Sequence, residues 1–386
     1  MVHLRVLALA DDTTGALEAG ARFGGCGVRC EVRLYPFCGT APLLSSTHAL
    51  VLDTQSRHCT ADEAKVRVKG ALLSAGGDAP GALVFKKTDS TLRGNIAEEL
   101  GAMLSLLPDR PVVYAPAYPE MGRSVREGRL YIHGRPVEES EFGADALNPV
   151  RCGNLRTLLA GVGVGTRLIR KVQELEDALG SADAGTILVC DGAASGDLEQ
   201  TARTIARSER AVIAAGTAAF GGAWARALPM EREEPPELPR ALRGLIVSGS
   251  RHPMTASQIR AAEALRIPVC CEASMAITGI GRRGWAVLAP RPGSQGAAEE
   301  IAVRLASEAR KVFDAAALEA VAVFGGDTAY ALLRMLDCAR VVACREILPG
   351  VPASLLQNSR PMVLVTKAGG FGGPEIIREI LAKLGD

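Results

Sequence analysis

Short apolar runs recur along this chain. Each ends in a polar or glycine-rich turn, and most lead into a segment of helical periodicity. In the first half, Arg5–Ala10, His48–Asp53, Ala82–Phe85, Pro111–Ala117, Thr186–Asp191 and Ala211–Gly216 read as strands. In the second half, Gly244–Val247, Pro268–Cys271, Trp285–Ala289, Ala320–Phe324 and Pro361–Thr366 do the same. Continuous apolar runs suit strands of a parallel sheet buried on both faces. Helical periodicity covers Ala16–Phe23, Ile96–Leu107, Asn154–Leu159, the segment around Trp224, Gly296–Phe313, and the stretches from Ala329 and from Pro374. Thr13 or Thr14 can cap the first helix. Asn95 followed by Glu98 resembles a capping box, and Pro108 ends the helix that follows it. The expectation is an α/β fold: two α/β domains with largely parallel sheets flanked by helices.

Between Leu228 and Arg240 the character changes: four prolines surround Glu231, Glu233, Glu234 and Glu237. That is linker composition, and it predicts domains at 1–230 and 241–386 joined by 231–240. Pro119–Pro136 reads as a loop rich in Arg and Gly, with a hairpin over Leu130–Val137 turning at Gly134-Arg135. Gly161–Gly165, GVGVG, follows a helical run rather than a strand and reads as a helix C-cap, not a dinucleotide fingerprint.

The length of 386 residues fits two or three domains. A net charge of +1 gives no electrostatic case for nucleic acid or an anionic membrane, and no apolar run has the length of a membrane span. The ten cysteines lack the spacing of a zinc site and read as reduced, mostly buried thiols of a cytoplasmic protein.

Chemistry concentrates at the strand ends. Lys86–Asn95, KKTDSTLRGN, places two Lys, an Asp, an Arg and several hydroxyls in one strand-to-helix turn. A turn that only reversed direction would need Gly or Asn; this one can hold an anionic, hydroxyl-rich small molecule. Asp11 and Asp12 sit at the end of the first strand, where open α/β sheets place ligands. Arg57 lies just past the end of another and could clamp a carboxylate. In the second half, Ser248–Gln258 precedes a helix with Ser and Gly, and two glycine-rich turns follow strands: Gly325–Thr328 (GGDT) and Lys367–Gly373 (KAGGFGG). Glycines let backbone amides face a polyphosphate at helix N-termini, and Asp327 is placed to hold Mg²⁺ directly or through water. The P-loop pattern GxxxxGK[ST] is absent.

Taken in order, DDTTGA (Asp11–Ala16), DTQSR (Asp53–Arg57), KKTDSTLRGN, APAYP (Ala115–Pro119), SGS…T…Q (Ser248–Gln258), GGDTA, LPGVPAS (Leu348–Ser354) and KAGGFG resemble the four-carbon acid sugar kinase family over nearly the whole chain. The resemblance implies a sugar-acid-binding N-terminal domain and a nucleotide-binding C-terminal domain. It also implies ATP-dependent phosphorylation of the terminal O4 hydroxyl of a tetronate such as erythronate, threonate or 3-oxo-tetronate. It carries substrate contacts to Asp12, Arg57, Lys87, Thr88, Asp89 and Ser90, and ATP contacts to Ser250, Gly325, Gly326, Asp327, Thr328 and the Gly369 region. Arg251 and His252 depart from the small residues usual after SGS, and the chain is somewhat short for the family.

The expected division of labour follows. Arg57 and Lys87 hold the substrate carboxylate, and Asp12, Asp89 and Ser90 orient hydroxyls. Gly325, Gly326, Thr328, Gly369 and Gly370 hold ATP, Asp327 places Mg²⁺, and reaction occurs in an interdomain cleft. The general base is open between Asp12 and Asp327. Partners are the sugar acid and ATP, without nucleic acid or membrane; a homodimer is allowed. A nucleotide-linked oxidoreductase would need GxGxxG where DDTTG stands. A sugar-acid sensor would not need the second glycine-rich domain. A kinase of another short polyhydroxy acid differs by few contacts.

Overall fold

The computed structural model describes residues 4–37, 43–44, 46–75, 81–145, 148–291, 293–294, 296–338, 340–357 and 362–385. Pro361, the expected first residue of the last strand, lies outside the described residues. In chain order the first elements are β1 (Val6–Ala10), α1 (Thr13–Gly25), β2 (Cys30–Leu34), β3 (Ala49–Asp53), α2 (Ala61–Ser74), β4 (Leu83–Lys87), α3 (Ile96–Leu106) and β5 (Val112–Ala115). Next come β6 (Arg123–Arg126), β7 (Arg129–Ile132), β8 (Arg135–Pro136), α4 (Leu155–Leu159), β9 (Thr166–Ile169), α5 (Val172–Ser181), β10 (Ile187–Cys190), α6 (Ser195–Arg207), β11 (Ile213–Gly216) and α7 (Ala218–Ala227). The later part has β12 (Gly244–Ser248), α8 (Pro253–Ala264), β13 (Val269–Cys270), α9 (Ala273–Arg283), β14 (Trp285–Leu288) and α10 (Ala298–Ala315). It closes with β15 (Ala320–Phe324), α11 (Gly326–Met335), β16 (Arg340–Leu348), β17 (Val351–Leu356), β18 (Met362–Lys367) and α12 (Ile376–Gly385).

Two compact units result. The first runs to Cys30 and resumes from Tyr35 to Glu233; the second takes Glu31–Leu34 and the chain from Glu234 onward. The division after Glu233 falls in the proline- and glutamate-rich stretch. The grouping of Glu31–Leu34 with the later unit has no counterpart in the sequence reading.

In the first unit the strands run in the order β9-β10-β5-β11-β4-β1-β3, all parallel. Their apolar runs are buried, as two covered faces require. Ala10 is in register with Asp53 on one side and Lys87 on the other, and Lys87 with Gly216. The carboxyl ends of β3, β1, β4 and β11 therefore form one edge. Chain order diverges on either side of β1, the switch point at which such sheets bind ligands. Phe85 of β4 anchors the core between Phe23 (centroids 5.9 Å apart) and Trp224 (5.7 Å).

The segment expected as a loop from Pro119 is more ordered than its composition suggested. It contains a three-stranded antiparallel sheet, β6-β7-β8. The β7–β8 turn is His133-Gly134, not Gly134-Arg135: both residues have positive φ, 47° and 82°, as a two-residue hairpin turn demands. Gly163, with φ 73°, caps the short helical stretch at GVGVG, as expected.

In the second unit β13-β14-β12-β15-β18 are parallel; β17 then runs antiparallel to β18, and β16 to β17. Ser248, Phe324 and Lys367 are in register, so three turns leave one edge side by side. Ile246, Trp285, Phe324, Val365 and Ile377 belong to its core. Among the described residues no helix is long and apolar enough to cross a membrane.

Candidate functional site

The edge formed by β1, β3 and β4 carries a dense, buried charge network. Asp12 is the N-cap of α1: its Oδ1 accepts from the Gly15 amide at 2.8 Å and its Oδ2 from the Thr14 hydroxyl at 2.7 Å. The cap is thus Asp12, not Thr13 or Thr14, because the aspartate is the residue with extended backbone dihedrals ahead of the first turn. Arg57 is 8 % exposed and committed to carboxylates. Nε and Nη2 donate to Asp11 at 2.8 and 2.9 Å, Nη1 to Asp12 at 2.7 Å, and Asp89 lies 3.6 Å away. The sequence places this guanidinium on a substrate carboxylate; the structure uses it to bind together the two aspartates of β1–α1. Burial would raise the Asp11 carboxyl, but Arg57, Lys86 and Lys87 hold it below its ordinary range. Burial acts the same way on Asp89, and Arg93 and Arg57 outweigh it, holding that carboxyl well below the ordinary range.

The Lys86–Asn95 turn is fixed from inside. Asp89 accepts from the Thr91 and Arg93 amides at 3.1 and 3.2 Å and from Arg93 Nε and Nη2 at 3.0 and 2.9 Å. The Ser90 hydroxyl accepts from Arg123 of β6, whose guanidinium also lies over the Phe142 ring. Thr88 is fully buried, its amide donating to the Gly216 carbonyl at 2.8 Å. The two lysines point to opposite faces. Lys86 pairs with Glu99 of α3 at 2.8 Å, and the Ser56 hydroxyl also donates to Glu99. Lys87 donates to the Thr88 carbonyl at 3.0 Å and lies 3.7 Å from Glu18 of α1. Glu18 in turn accepts from Tyr118 at 2.9 Å.

Sequence reasoning placed Asp11 at the ligand edge but not as a partner of Arg57, and it missed Glu18, Glu99 and Arg123. For the two glutamates the available signal was an acidic residue at an otherwise apolar position of an amphipathic helix. Asn95 also differs from expectation. It makes no side-chain cap bond; its Nδ2 donates to the Ser56 and Cys59 carbonyls at 2.8 and 3.0 Å. It therefore holds the Arg57 loop, and Asn95→Ala is expected to cost about 1–2 kcal/mol of stability, read as a lower denaturant midpoint at unchanged m-value.

At the edge of the second unit, the Ser248–His252, Gly325–Thr328 and Lys367–Gly373 turns converge. A Cβ on Gly249 would lie 2.1 Å from Thr328 Oγ1, and a Cβ on Gly369 2.4 Å from Ser250 Oγ. Gly325 has φ 113° and sets α11 to begin at Gly326, so Asp327 and Thr328 lie in its first turn rather than ahead of it. The Thr255 hydroxyl of α8 donates to the Gly369 carbonyl at 2.9 Å and shares a hydrogen bond with Ser250 Oγ at 3.0 Å. Gln258 Nε2 donates to the Phe371, Gly372 and Gly373 carbonyls at 3.0–3.2 Å. His252 caps α8, accepting from the Met254 amide, and its ring abuts Gly370. Lys367 Nζ donates to the Ala368 and Gly369 carbonyls at 2.9 and 3.0 Å, and burial pulls its ammonium down to about 7. The first turns of α8 and α11 thus lie beside closely packed glycine turns, and free amides at helix N-termini suit phosphate groups. Among the described residues no group of three or more His, Cys, Asp or Glu side chains could hold a metal.

Comparison with known proteins resolves the affiliation. Residues 6–224 match the sugar-binding N-terminal domain model and residues 281–377 the nucleotide-binding C-terminal domain model. The chain belongs to the four-carbon acid sugar kinase family. It is 27 % identical to a Salmonella typhimurium D-threonate kinase, over 98 % of both chains. It is 29 % identical to a Methylobacterium radiotolerans 3-oxo-tetronate kinase, over 97 % of both. A Heliobacterium modesticaldum D-erythronate kinase is 32 % identical over 67 % of this chain and 60 % of its own. A crystal structure of a Salmonella typhimurium protein shares the fold, with a TM-score of 0.77 at 21 % identity over 97 % of this chain and 98 % of the other. The protein is accordingly a four-carbon acid sugar kinase, a transferase of sugar-acid metabolism.

Proposed function

We propose that this kinase transfers the γ-phosphoryl group of Mg²⁺-ATP to the terminal O4 hydroxyl of a tetronate, with threonate, erythronate and 3-oxo-tetronate as the candidate acceptors. The reading rests on one observation above the rest: buried carboxylates and cations crowd the Ala10–Asp53–Lys87 edge, within the span matched by the sugar-binding model. Asp12, Asp89 and Ser90 orient the acceptor hydroxyls, and Lys87 and Thr88 line the same turn. Lys87 takes the acceptor carboxylate, with Arg57 acting through Asp12 rather than as an open clamp. Ser250, Gly325, Gly326, Thr328, Gly369 and Gly370 hold the nucleotide phosphates. Asp327 fits Mg²⁺ as a single carboxylate in the first turn of α11, because this ion is commonly held by one or two carboxylates with water and phosphate oxygens completing its shell. The ion, when bound, neutralises charge on the transferring group. This chain's own residues position, desolvate and take the hydroxyl proton.

The direct test is ADP formation with Mg²⁺-ATP against D- and L-threonate, D- and L-erythronate and their 3-oxo forms. Folded protein silent on the whole panel overturns the reading. Asp12→Asn and Asp327→Asn separate the roles: the base loses kcat by roughly 10²–10⁴-fold, whereas a binding group mainly raises KM. Near-normal kcat in both variants removes both from the base assignment.

A further inference from the structure

Asp53, the last residue of β3, sits fully buried behind the acidic pair and has no role in the reading above. Every partner it has is a donor. Oδ2 accepts from the Thr13 hydroxyl at 2.5 Å and from Gln55 Nε2 at 2.8 Å; Oδ1 accepts from the Gln55 amide at 3.0 Å and from Gln55 Nε2 at 3.1 Å. Gln55 Nε2 also donates to Thr13 Oγ1 at 2.8 Å, closing a ring of three side chains. Thr13 adjoins Asp12, and Gln55 lies two residues before Arg57. Gln55 has φ 49°, a conformation that a side chain other than glycine adopts only when its surroundings hold it there. We propose that Asp53 is a positioning residue that locks the loop carrying Asp12 to the loop carrying Arg57.

A carboxylate accepts at both oxygens, which lets one side chain take hydrogen bonds from both loops at once. Burial pushes this carboxyl up to about 7, opposed by Thr13 and Gln55 and aided by the Asp12 charge. Of the charged groups packed around it, Arg57 is engaged by Asp11 and Asp12, and Arg67 of α2 reaches the Gln55 carbonyl at 2.5 Å.

The test has two readouts, one of which is independent of the functional reading on which the kinetic one rests. Hydrogen exchange is followed at the amides of residues 54–57. These bond to the Ala10 carbonyl, the Asp53 carboxylate and the Asp11 carbonyl. At pH 8, Asp53→Asn is expected to speed their exchange at least tenfold. The D53N/Q55E pair, which exchanges amide and carboxyl across the ring, is expected to restore protection. In kinetics with saturating Mg²⁺-ATP and D-threonate or D-erythronate as acceptor, the acceptor KM of Asp53→Asn is at least tenfold higher than that of the parent enzyme at pH 8. Gln55→Leu reads the same lock should Asp53→Asn not fold. Unchanged exchange in Asp53→Asn or Gln55→Leu, or no recovery in the double variant, overturns the proposal. If no acceptor on the panel is phosphorylated, the functional reading fails while exchange still decides the role of Asp53.

Discussion

Arg57→Ala is expected to destabilise the first unit by about 3–5 kcal/mol, the usual cost of stripping one partner from a buried ion pair. For a unit of this size that is a fall in thermal midpoint of roughly 6–20 °C. The removed guanidinium makes three hydrogen bonds to Asp11 and Asp12 and lies 3.6 Å from Asp89. Without it, three buried carboxylates repel one another in a medium that screens them poorly. The sign with pH follows from Asp11 and Asp89, whose carboxyls the parent holds below their ordinary 3.8. Their stabilisation is present above about pH 4 and disappears as pH falls through the depressed folded values. The gap between parent and variant should therefore be widest at neutral pH and narrow toward pH 3. Thermal melts at pH 7 and pH 3.5 check this; an equal gap at both would show that lost packing, not lost charge pairing, dominates. Arg57→Lys keeps the charge but cannot span both aspartates and should fall between the two.

Gly249→Ala is expected to raise the KM for ATP at least tenfold with little effect on the acceptor KM. The added Cβ would stand 2.1 Å from Thr328 Oγ1, 3.3 Å from Thr328 Cβ and 3.2 Å from Leu305 Cδ1. Thr328 is 2 % exposed and in the first turn of α11, so it cannot swing outward, and relief requires that turn to move. Overpacking of this kind costs about 1–3 kcal/mol, here directed at the amides proposed to hold phosphate. Nucleotide affinity measured by calorimetry checks the effect. Retained affinity in Gly249→Ala would show that these amides do not contact the nucleotide.

Much of this was legible in the sequence because parallel strands are buried on both faces, so their continuous apolar runs stand out. The turns after β1, β4, β15 and β18 were legible because no solvated loop needs their composition. What the sequence hid were pairings at a distance. Arg57 has chemistry suited to a substrate carboxylate and equally to Asp11 and Asp12, and its pairing with those aspartates depends on the register of β3 beside β1, which the sequence does not display. Asn95 has the composition of a cap, yet the loop at Ser56 and Cys59 competes for its amide. The antiparallel β16–β17 hairpin escaped notice because its strands alternate only weakly, and β6 because its arginines look solvated while Arg123 is buried.

The consecutive lysines that end β4 have an effect on assembly of the sheet. Side chains along a strand alternate faces, so Lys86 finds its glutamate on α3 and Lys87 on α1. Were β4 to slip one residue against β1, one lysine would take the other's place beside its glutamate, and the second ammonium and the second glutamate would be left buried without a counter-ion. The doublet thus works as an electrostatic proofreader of strand alignment, rejecting the misregistered sheet that a purely apolar strand of the same length would tolerate.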